Sequence, residues 1–536
     1  MIINQNEKGG TIVYNSDDFI GLVPGYAGGN FPRFGKGASW LAGINPWREA
    51  TPGVLAPSFP VTALDNSGAY ASSVIRNAVV DRASSQPNAW LIEDGAAGIH
   101  QIVGSAGIVG KALSVTAPFP FGLASASGGI HSTATHTSYD GEDIALFNIS
   151  GTDYIFYSFN DNTDGDIGRV ILNPTSTGDF KNDWYSSQSG ETPFTLGVPH
   201  PLMVGDDDKL YGGDDVNLRV VSNTGAFSST SSVVPAGFIV KCFAKTGEQL
   251  LIGAERKKGS YSSALARGDA IVQFWDYGSQ SSITTKQLND NEVTALIYWK
   301  GTVWAFTQGR PGEEATIAKR SKLQKFEGGE FVIKFHFSET SPTFGGIEIH
   351  DNCLHWNSDG VIYSYGSPYP GFPERVNKVG VGSGTTSGGY AKSLNGTDLY
   401  ISTGAGTSCE YLTQGTTYEG ASQWRGLVAE PIAPAGHRCK VTSGEIAFYG
   451  SASGGRTIQF SFTVDDQGTT NILLDAHGTV TAGTQQVIRK IRTNGEELPF
   501  FSSIKPLLVY SIGSGASNAP KVSYIKFNYE FREVDY

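Results

Sequence analysis

The stretch PLMVGDDDKLYGGDDVNLRVV, residues 201–221, decides the fold class of this chain. It contains an apolar run, an acidic turn, a second run centred on Leu210 and Tyr211, a Gly-Asp turn and a third run. Side chains that change character at every second position are typical of pleated strands. Clustered Gly and Asp residues are typical of tight turns. The stretch therefore predicts a small sheet made of consecutive strands.

This plan of strand, turn and strand recurs along the chain. Its second strand falls near residues 91, 154, 210, 251, 303, 354 and 399, at intervals of about 41 to 63 residues. Propeller blades of four strands recur at about 40–50 residues, and insertions lengthen some of them. We therefore predict an all-β protein containing a seven-bladed β-propeller. The weakly marked first and last units leave six or eight blades open.

The two ends of the chain differ from this repeat. Residues 1–60 are rich in Gly and aromatic residues, and because disordered tails lack such aromatics, we expect an extended arm that packs on the propeller or on a neighbouring subunit. Alternating strands follow a Pro- and Gly-containing linker near residue 431 and predict a β-sandwich. The predicted organisation is an arm (1–60), a propeller (61–430) and a sandwich (431–536).

Composition excludes several classes of function. The net charge of −12 argues against sequence-specific nucleic-acid binding, which needs a dense cationic surface. No apolar run reaches the roughly 18 residues that span a bilayer, and the N-terminus lacks a secretion signal. We therefore expect synthesis in a host cytoplasm and no membrane insertion. The four cysteines lack the tight spacing of a disulfide framework or a zinc site.

Sequence motifs of enzyme chemistry are missing. There is no G-x-S-x-G nucleophile elbow. The stretch GSAGIVGKA, residues 104–112, lacks the first Gly and the final Ser or Thr of a phosphate loop. A glycoside hydrolase needs a pair of carboxylates that need not be close in sequence, and 51 acidic residues give no basis for choosing two. We therefore predict a non-enzymatic protein, with calcium as the one candidate cofactor.

One stretch has the oxygen spacing of a metal loop. Asn160, Asn162, Asp164 and Asp166 place oxygen-bearing side chains at alternate positions around a glycine. The first ligands of a calcium loop follow this spacing, but the acidic residue that closes such a loop is missing here. The stretch therefore predicts either a calcium site or an Asx-type turn.

The stretch GINPWREATPGVL, residues 43–55, and units such as KLYGGD, residues 209–214, resemble virion proteins of tailed bacteriophages. Within that group they are similar to the propeller-bearing proteins of tails, nozzles and baseplates. The resemblance implies a virion protein that assembles with itself in a symmetric ring or trimer and docks to other virion proteins. It transfers no catalytic residue.

The function predicted on this basis is that of a structural, tail-associated component of the virion. Two alternatives stay open. One is an adsorption protein that binds a host surface glycan during host attachment. The other is a propeller enzyme that degrades a glycan.

Overall fold

The computed structural model describes most of the chain. The residues described are 2–6, 8–19, 21, 38–45, 47, 53–58, 61–63, 74–81, 88–94, 99–103, 114–115, 140–161, 163–172, 179–230, 233–257, 269–309, 321–337, 339–381, 391–392, 399–402, 409–412, 420–449, 457–465, 471–477, 486–490, 499–512 and 519–533. Helical segments include α1 (Ser16–Phe19) and 3-10 turns at Gln280–Ser282 and Phe344–Gly346. No helix in these ranges is long and apolar enough to cross a membrane.

Strands make up most of the described structure. The N-terminal strands are β1 (Ile2–Asn6), β2 (Gly9–Tyr14), β3 (Ala38–Ala42) and β4 (Val61–Ala63). The central strands are β5 (Val74–Asp81), β6 (Asn88–Asp94), β7 (Ile99–Val103), β8 (Ser114–Val115), β9 (Asp140–Ile149), β10 (Thr152–Asn160), β11 (Gly165–Ile171), β12 (Phe180–Lys181), β13 (Leu202–Val204), β14 (Lys209–Asp214), β15 (Asn217–Ser222), β16 (Phe227–Thr230), β17 (Phe238–Lys245), β18 (Leu250–Arg256), β19 (Ala270–Trp275), β20 (Thr284–Gln287), β21 (Glu292–Trp299), β22 (Thr302–Gln308), β23 (Ser321–Glu327), β24 (Glu330–Phe337), β25 (Ile347–His350), β26 (Cys353–Ser358), β27 (Val361–Gly366), β28 (Arg375–Val381), β29 (Ala391–Lys392), β30 (Leu399–Ser402) and β31 (Cys409–Leu412). The C-terminal strands are β32 (Ala421–Gly426), β33 (His437–Tyr449), β34 (Thr457–Val464), β35 (Asn471–His477), β36 (Gln486–Lys490), β37 (Phe500–Phe501), β38 (Ile504–Ser511) and β39 (Lys521–Glu533).

Seven four-stranded units follow one another from β5 to β31. They are β5–β8, β9–β12, β13–β16, β17–β20, β21–β24, β25–β28, and β29–β31 with β4. The first two units are joined by the single pair of Asp94 with Asp140. The first strand of each unit contacts the first strand of the next, and β29 contacts β5, so the units close into a ring. The predicted all-β fold with a seven-bladed propeller is confirmed.

The N-terminal part of the chain completes the ring. Strand β4 is the fourth strand of the seventh blade, where Ala63 lies opposite Glu410 in an antiparallel pair. The first and last parts of the propeller sequence are therefore held in one sheet. This pairing covers a sheet edge that would otherwise be open.

A sandwich of two sheets contains the C-terminal strands. One sheet has the order β1-β2-β39-β33-β36, with β37 also paired to β33, and the other has the order β3-β32-β38-β34-β35. Apolar side chains from both sheets, including Phe460, Leu508 and Phe527, form one buried cluster between them. The predicted C-terminal sandwich is confirmed, and it also contains strands from outside residues 431–536.

The N-terminal segment differs from the expected extended arm. Strand β2 pairs along its length with β39, with Thr11 opposite Asn528, and β3 pairs with β32. Tyr14 is fully buried, packs edge-on against Trp424 at 6.0 Å, and donates a hydrogen bond to the carbonyl of Leu427. Tyr14 and Phe19 of this segment are thus part of the sandwich core, whereas Trp47 packs against Tyr369 and Phe372 of the propeller. The aromatic residues Tyr26, Phe31 and Phe34, on which the arm was also predicted, lie outside the described residues.

The two faces of the propeller carry different connections. On one face, which we call the turn face, tight turns join first to second strands, and Ser150 and Lys300 adopt left-handed φ angles of 52° and 50° there. On the opposite face, which we call the loop face, the first strands begin and the second strands end. Because neighbouring strands are antiparallel, the side chains at the starts of first strands and at the ends of second strands lie together at the loop face.

Candidate active site

Four of the innermost strands carry a β-bulge near the loop face. In each, the pairing register skips one residue, which we call a bulge residue: Arg76 in β5, Glu142 in β9, Lys241 in β17 and Thr294 in β21. All four are half-buried. A bulge leaves its extra residue outside the ladder and changes the direction of its side chain. Since the first strands surround the axis, we place these four polar side chains at the mouth of the central channel.

The bulge in β17 shows how such a residue is turned toward the axis. Val240 pairs with Ala254, and Cys242 pairs with Gly253. Gly253 and Ala254 are consecutive on β18, so Lys241, between Val240 and Cys242, lies outside the pairing register. Val240 and Cys242 are both fully buried, and they belong to the apolar clusters on two different sides of the blade. Because its two neighbours fill both faces of the blade, we infer that Lys241 points toward the channel.

Lys241 is the cationic centre of the site. Its Nζ lies 3.2 Å from Glu255 Oε1. Burial alone would lower the pKa of Lys241, but the carboxylate of Glu255, followed by those of Glu292 and Glu142, outweighs burial and raises the pKa. The ammonium therefore stays charged across the ordinary pH range.

The three carboxylates come from three different blades. Glu142 belongs to the second blade, Glu255 to the fourth and Glu292 to the fifth. The third blade separates Glu142 from Lys241 along the ring, and Glu142 nevertheless raises the pKa of Lys241. Opposite charges in different blades attract each other strongly only where water screens them poorly. The mouth thus brings acidic groups together from sequence positions more than a hundred residues apart.

Neutral amides support two of these carboxylates. Asn160 Nδ2 donates to Glu142 Oε1 at 3.2 Å, and Gln308 Nε2 donates to Glu292 Oε2 at 2.8 Å. Both amides lie at the ends of second strands, opposite the starts of the first strands. An amide N–H can donate a hydrogen bond to a carboxyl group in either protonation state, whereas an ammonium favours the ionised state. The site therefore offers acidic groups in two kinds of environment.

The predicted calcium residues are not brought together on one face. The register pairs Asn160 with Gly165 and Phe159 with Asp166. Paired residues share a face of the sheet and successive residues alternate between faces. The side chains of Asn160 and Asp166 therefore point to opposite sides of the second blade, and one ion cannot bind both.

The turn between these strands has the geometry of the alternative prediction. Asp161 Oδ1 accepts hydrogen bonds from the backbone N–H groups of Thr163, at 2.6 Å, and Asp164, at 2.9 Å, which is an Asx-type turn. Asn162 lies outside the described residues. In the described ranges, no group of three or more His, Cys, Asp or Glu side chains could hold a metal ion.

Asp166 instead lies in a buried polar pocket of the blade. Its Oδ1 accepts from the backbone N–H groups of Ile167, at 2.6 Å, and Ser186, at 3.3 Å. Burial raises the pKa of Asp166 to about 7, and the hydrogen bond from the Ser186 side chain opposes this only in part. Asp166 thus titrates near neutrality without belonging to the channel mouth.

Sequence reasoning missed the carboxylates of the mouth, although a local signal was present. Three of the four bulge residues stand in the triplets Gly141-Glu142-Asp143, Val240-Lys241-Cys242 and Val293-Thr294-Ala295, at the start of a first strand. A polar side chain between two buried positions fits ordinary strand alternation, so only the register identifies the bulge. Glu255 is near the end of a second strand, and no local sequence pattern distinguishes it.

No protein family and no curated protein matches the chain. Solved structures that resemble it include a glycoside hydrolase family 43 arabinoxylan arabinofuranohydrolase from Bacillus subtilis, with 13% identity, coverage of 89% of this chain and 99% of that chain, and a TM-score of 0.31. An engineered family 43 glycoside hydrolase has 9% identity, coverage of 87% and 99%, and a TM-score of 0.30. A streptogramin B lyase has 10% identity, coverage of 66% and 97%, and a TM-score of 0.38. Likeness at this level concerns the fold alone.

Two predictions from the sequence are corrected at this point. The chain was expected to be a structural component of a phage virion and not an enzyme, whereas the solved structures described above are enzymes. The channel mouth also contains the convergent carboxylates that sequence reasoning could not select.

Proposed function

We propose that the chain is a glycoside hydrolase whose active site is the channel mouth on the loop face. The observation that carries the proposal is the ion pair of Lys241 Nζ with Glu255 Oε1 at 3.2 Å, with the carboxylates of Glu292 and Glu142 from two further blades also raising the pKa of Lys241. Hydrolysis of a glycosidic bond needs one carboxyl group to give a proton and a second, ionised one to act on the opposite side of the sugar. Convergent polar groups at a concave channel mouth are typical of ligand sites.

The environments of the carboxylates suggest a role for each. The amide partner of Glu142 tolerates a protonated carboxyl group, and we assign Glu142 as the proton donor. Glu255 is held ionised by Lys241, and we assign it as the base. Glu292 then lies where a carboxylate can stabilise the positive charge that develops on the sugar ring.

In the proposed reaction, one water molecule is consumed for each glycosidic bond that breaks. Glu142 gives its proton to the glycosidic oxygen as the bond from that oxygen to the anomeric carbon breaks. Glu255 takes one proton from a water molecule, and the hydroxide so formed bonds to the anomeric carbon. The products are two sugars with free hydroxyl groups, and one proton has moved from Glu142 to Glu255. Exchange of protons with solvent restores both groups.

Release of reducing ends from a panel of polysaccharides tests this function. Glu142→Gln and Glu255→Gln should each lower the rate by about 100- to 10,000-fold, the range over which a positioned acid or base contributes. Glu330→Gln is the matched control, because Glu330 is exposed at the start of outer strand β24. Equal rates in wild type and both mouth variants would contradict the proposal.

The binding alternative is separated by the same panel. A wild-type protein that retains a glycan on an affinity column and releases no reducing ends supports an adsorption protein instead. Self-assembly into a ring or trimer, association with a host glycan or with virion proteins, and location in a virion stay predictions. The native mass of the purified chain tests the first of these.

A further inference from the structure

A buried histidine is connected to the proposed proton donor by one side chain. His200 lies in the link between the second and third blades and is fully buried. Its Nε2 is 3.3 Å from Asn160 Oδ1, and the other end of that amide, Nδ2, is 3.2 Å from Glu142 Oε1. A chain of contacts thus runs from the interior of the propeller to the channel mouth.

Two backbone groups identify the oxygen end and the nitrogen end of the Asn160 amide. The N–H of Gly197 donates to Asn160 Oδ1 at 2.9 Å, and Nδ2 donates to the carbonyl of Val198 at 3.0 Å. A backbone N–H only donates and a carbonyl only accepts. The amide oxygen must therefore face His200, and the amide nitrogen must face Glu142.

Both ring nitrogens of His200 face hydrogen-bond acceptors. Nδ1 lies 3.0 Å from the carbonyl oxygen of Gly213, and Nε2 faces the oxygen of Asn160. A neutral imidazole donates through one nitrogen only, whereas an imidazolium donates through both. Neutral His200 thus leaves one nitrogen lone pair against an acceptor, and protonation turns that contact into a hydrogen bond.

The groups around the ring act in opposite directions on its charge. Burial lowers the pKa of His200; the carbonyl of Gly213, the carboxylate of Asp214 and the carbonyl of Thr195 raise it, and the guanidinium of Arg219 lowers it further. The net direction is downward, so the ring gains its second proton only in acid. The ring of Phe194 packs edge-on against it at 5.1 Å and contributes no charge.

Space for the ring depends on a glycine. A Cβ atom added at Gly165 would lie 2.2 Å from His200 Nε2. The nitrogen that faces Asn160 is therefore the one that a larger residue at position 165 would displace. Gly165→Ala is thus a way to move the ring while leaving its chemistry unchanged.

We propose that His200 is a positioning residue for Glu142: the doubly protonated ring anchors the Asn160 amide, which then holds the Glu142 carboxyl group in place at the channel mouth. The proposal rests on the proposed function insofar as Glu142 is the proton donor. Under this proposal the rate of turnover depends on His200, a residue that does not contact the substrate. Turnover should therefore be faster below the pKa of His200 than above it, until the base at the mouth becomes protonated.

The first test is the pH dependence of kcat and KM. In wild type, kcat should rise only at a pH below the ordinary range for histidine, because burial lowers the pKa of His200. His200→Gln and Gly165→Ala should lose this rise with KM changed less than about twofold, because the chain ends at the proton donor and not at the sugar. His437→Gln, which removes an exposed histidine of the sandwich, should keep it. Persistence of the rise in both His200→Gln and Gly165→Ala would overturn the proposal.

The second test needs no activity and separates the two proposals. NMR titration of ring-labelled histidine follows the His200 midpoint directly. When it is ionised, Glu142 carries a negative charge at the end of the chain, so Glu142→Gln should lower that midpoint, whereas Glu330→Gln should leave it unchanged. If no glycan is hydrolysed but the midpoint moves, the proposed function fails and the link stands. If glycans are hydrolysed and the midpoint does not move, the link fails alone.

Discussion

Lys241 and Glu142 occupy the same position in two different blades, because each is the extra residue of a β-bulge in a first strand. When it is ionised, Glu142 raises the pKa of Lys241, after the larger effects of Glu255 and Glu292. Strands that kept a regular register would direct these residues into the cores between the blades. The bulges therefore convert a structural repeat into a polar site at the axis, and they do so in four of the seven blades.

Replacement of Lys241 by methionine should destabilise the protein. It leaves the carboxylate of Glu255, whose side chain is 7% exposed, without its cation, and breaking such a buried pair costs roughly 3–5 kcal/mol. Urea denaturation at neutral pH measures this loss. The double variant Lys241→Met, Glu255→Gln should recover part of it, since no charge is then left uncompensated. No difference between the single and double variants would contradict the account of this pair.

Replacement of Lys300 by methionine should have a much smaller effect. The pair of Lys300 with Glu374 has side chains 33% and 36% exposed, and ion pairs of this kind contribute at most about 1 kcal/mol. Raising the salt concentration should weaken it further. The same denaturation series in low and high salt checks both statements, and a loss as large as that of Lys241→Met would be unexpected.

Asp166 should make stability fall as the pH rises toward neutrality. Its pKa is about 7 in the folded protein and near 3.8 when unfolded, so between these values the folded state binds the extra proton. The stabilisation is complete below pH 3.8 and is lost as the pH rises through 7. Asp166→Asn should remove this dependence and, above pH 7, stabilise the protein by up to roughly 4 kcal/mol relative to wild type.

Denaturant midpoints at pH 5 and pH 8 measure the Asp166 effect. The difference between Asp166→Asn and wild type should be larger at pH 8. Asp17→Asn, which changes an exposed carboxyl group, should give the same difference from wild type at both values. An equal difference for Asp166→Asn at both values would show that this carboxyl group does not titrate differently in the two states.

Deletion of residues 1–60 should prevent cooperative folding of the sandwich. Strands β1, β2 and β3 belong to its two sheets, and the deletion removes the buried side chains of Ile12, Tyr14 and Phe19 from its core. Losses of large core side chains cost about 2–5 kcal/mol each. Circular dichroism and calorimetry should show loss of the sandwich transition, whereas deletion of the edge strand alone, residues 1–6, should leave it.

The propeller could be predicted from the sequence because each blade is local. Runs such as Leu210–Tyr211 and the turns beside them repeat within some 50 residues, and the blade is formed by strands consecutive in the chain. The closing strand β4 has three residues and no periodicity of its own. The N-terminal strands were mistaken for an arm because their partners are distant: Thr11 pairs with Asn528.

The channel mouth could not be predicted for a related reason. Glu142 and Glu292 become neighbours of Lys241 only when the ring closes, and their direction depends on bulges that the pairing register creates. A candidate built from sequence spacing, the set from Asn160 to Asp166, crosses a turn where the strand register separates its members. Spacing along the sequence indicates which side chains lie close together within one strand, whereas this site combines residues from three blades.

The most direct measurement of the central claim is a crystal structure of the Glu142→Gln variant with an oligosaccharide that the wild type cleaves. The account predicts sugar rings at the channel mouth of the loop face, with a glycosidic oxygen within hydrogen-bond reach of residue 142 and the next ring beside Glu255. Sugar bound only at the turn face or on the sandwich, with the mouth unoccupied by the ligand, would contradict it.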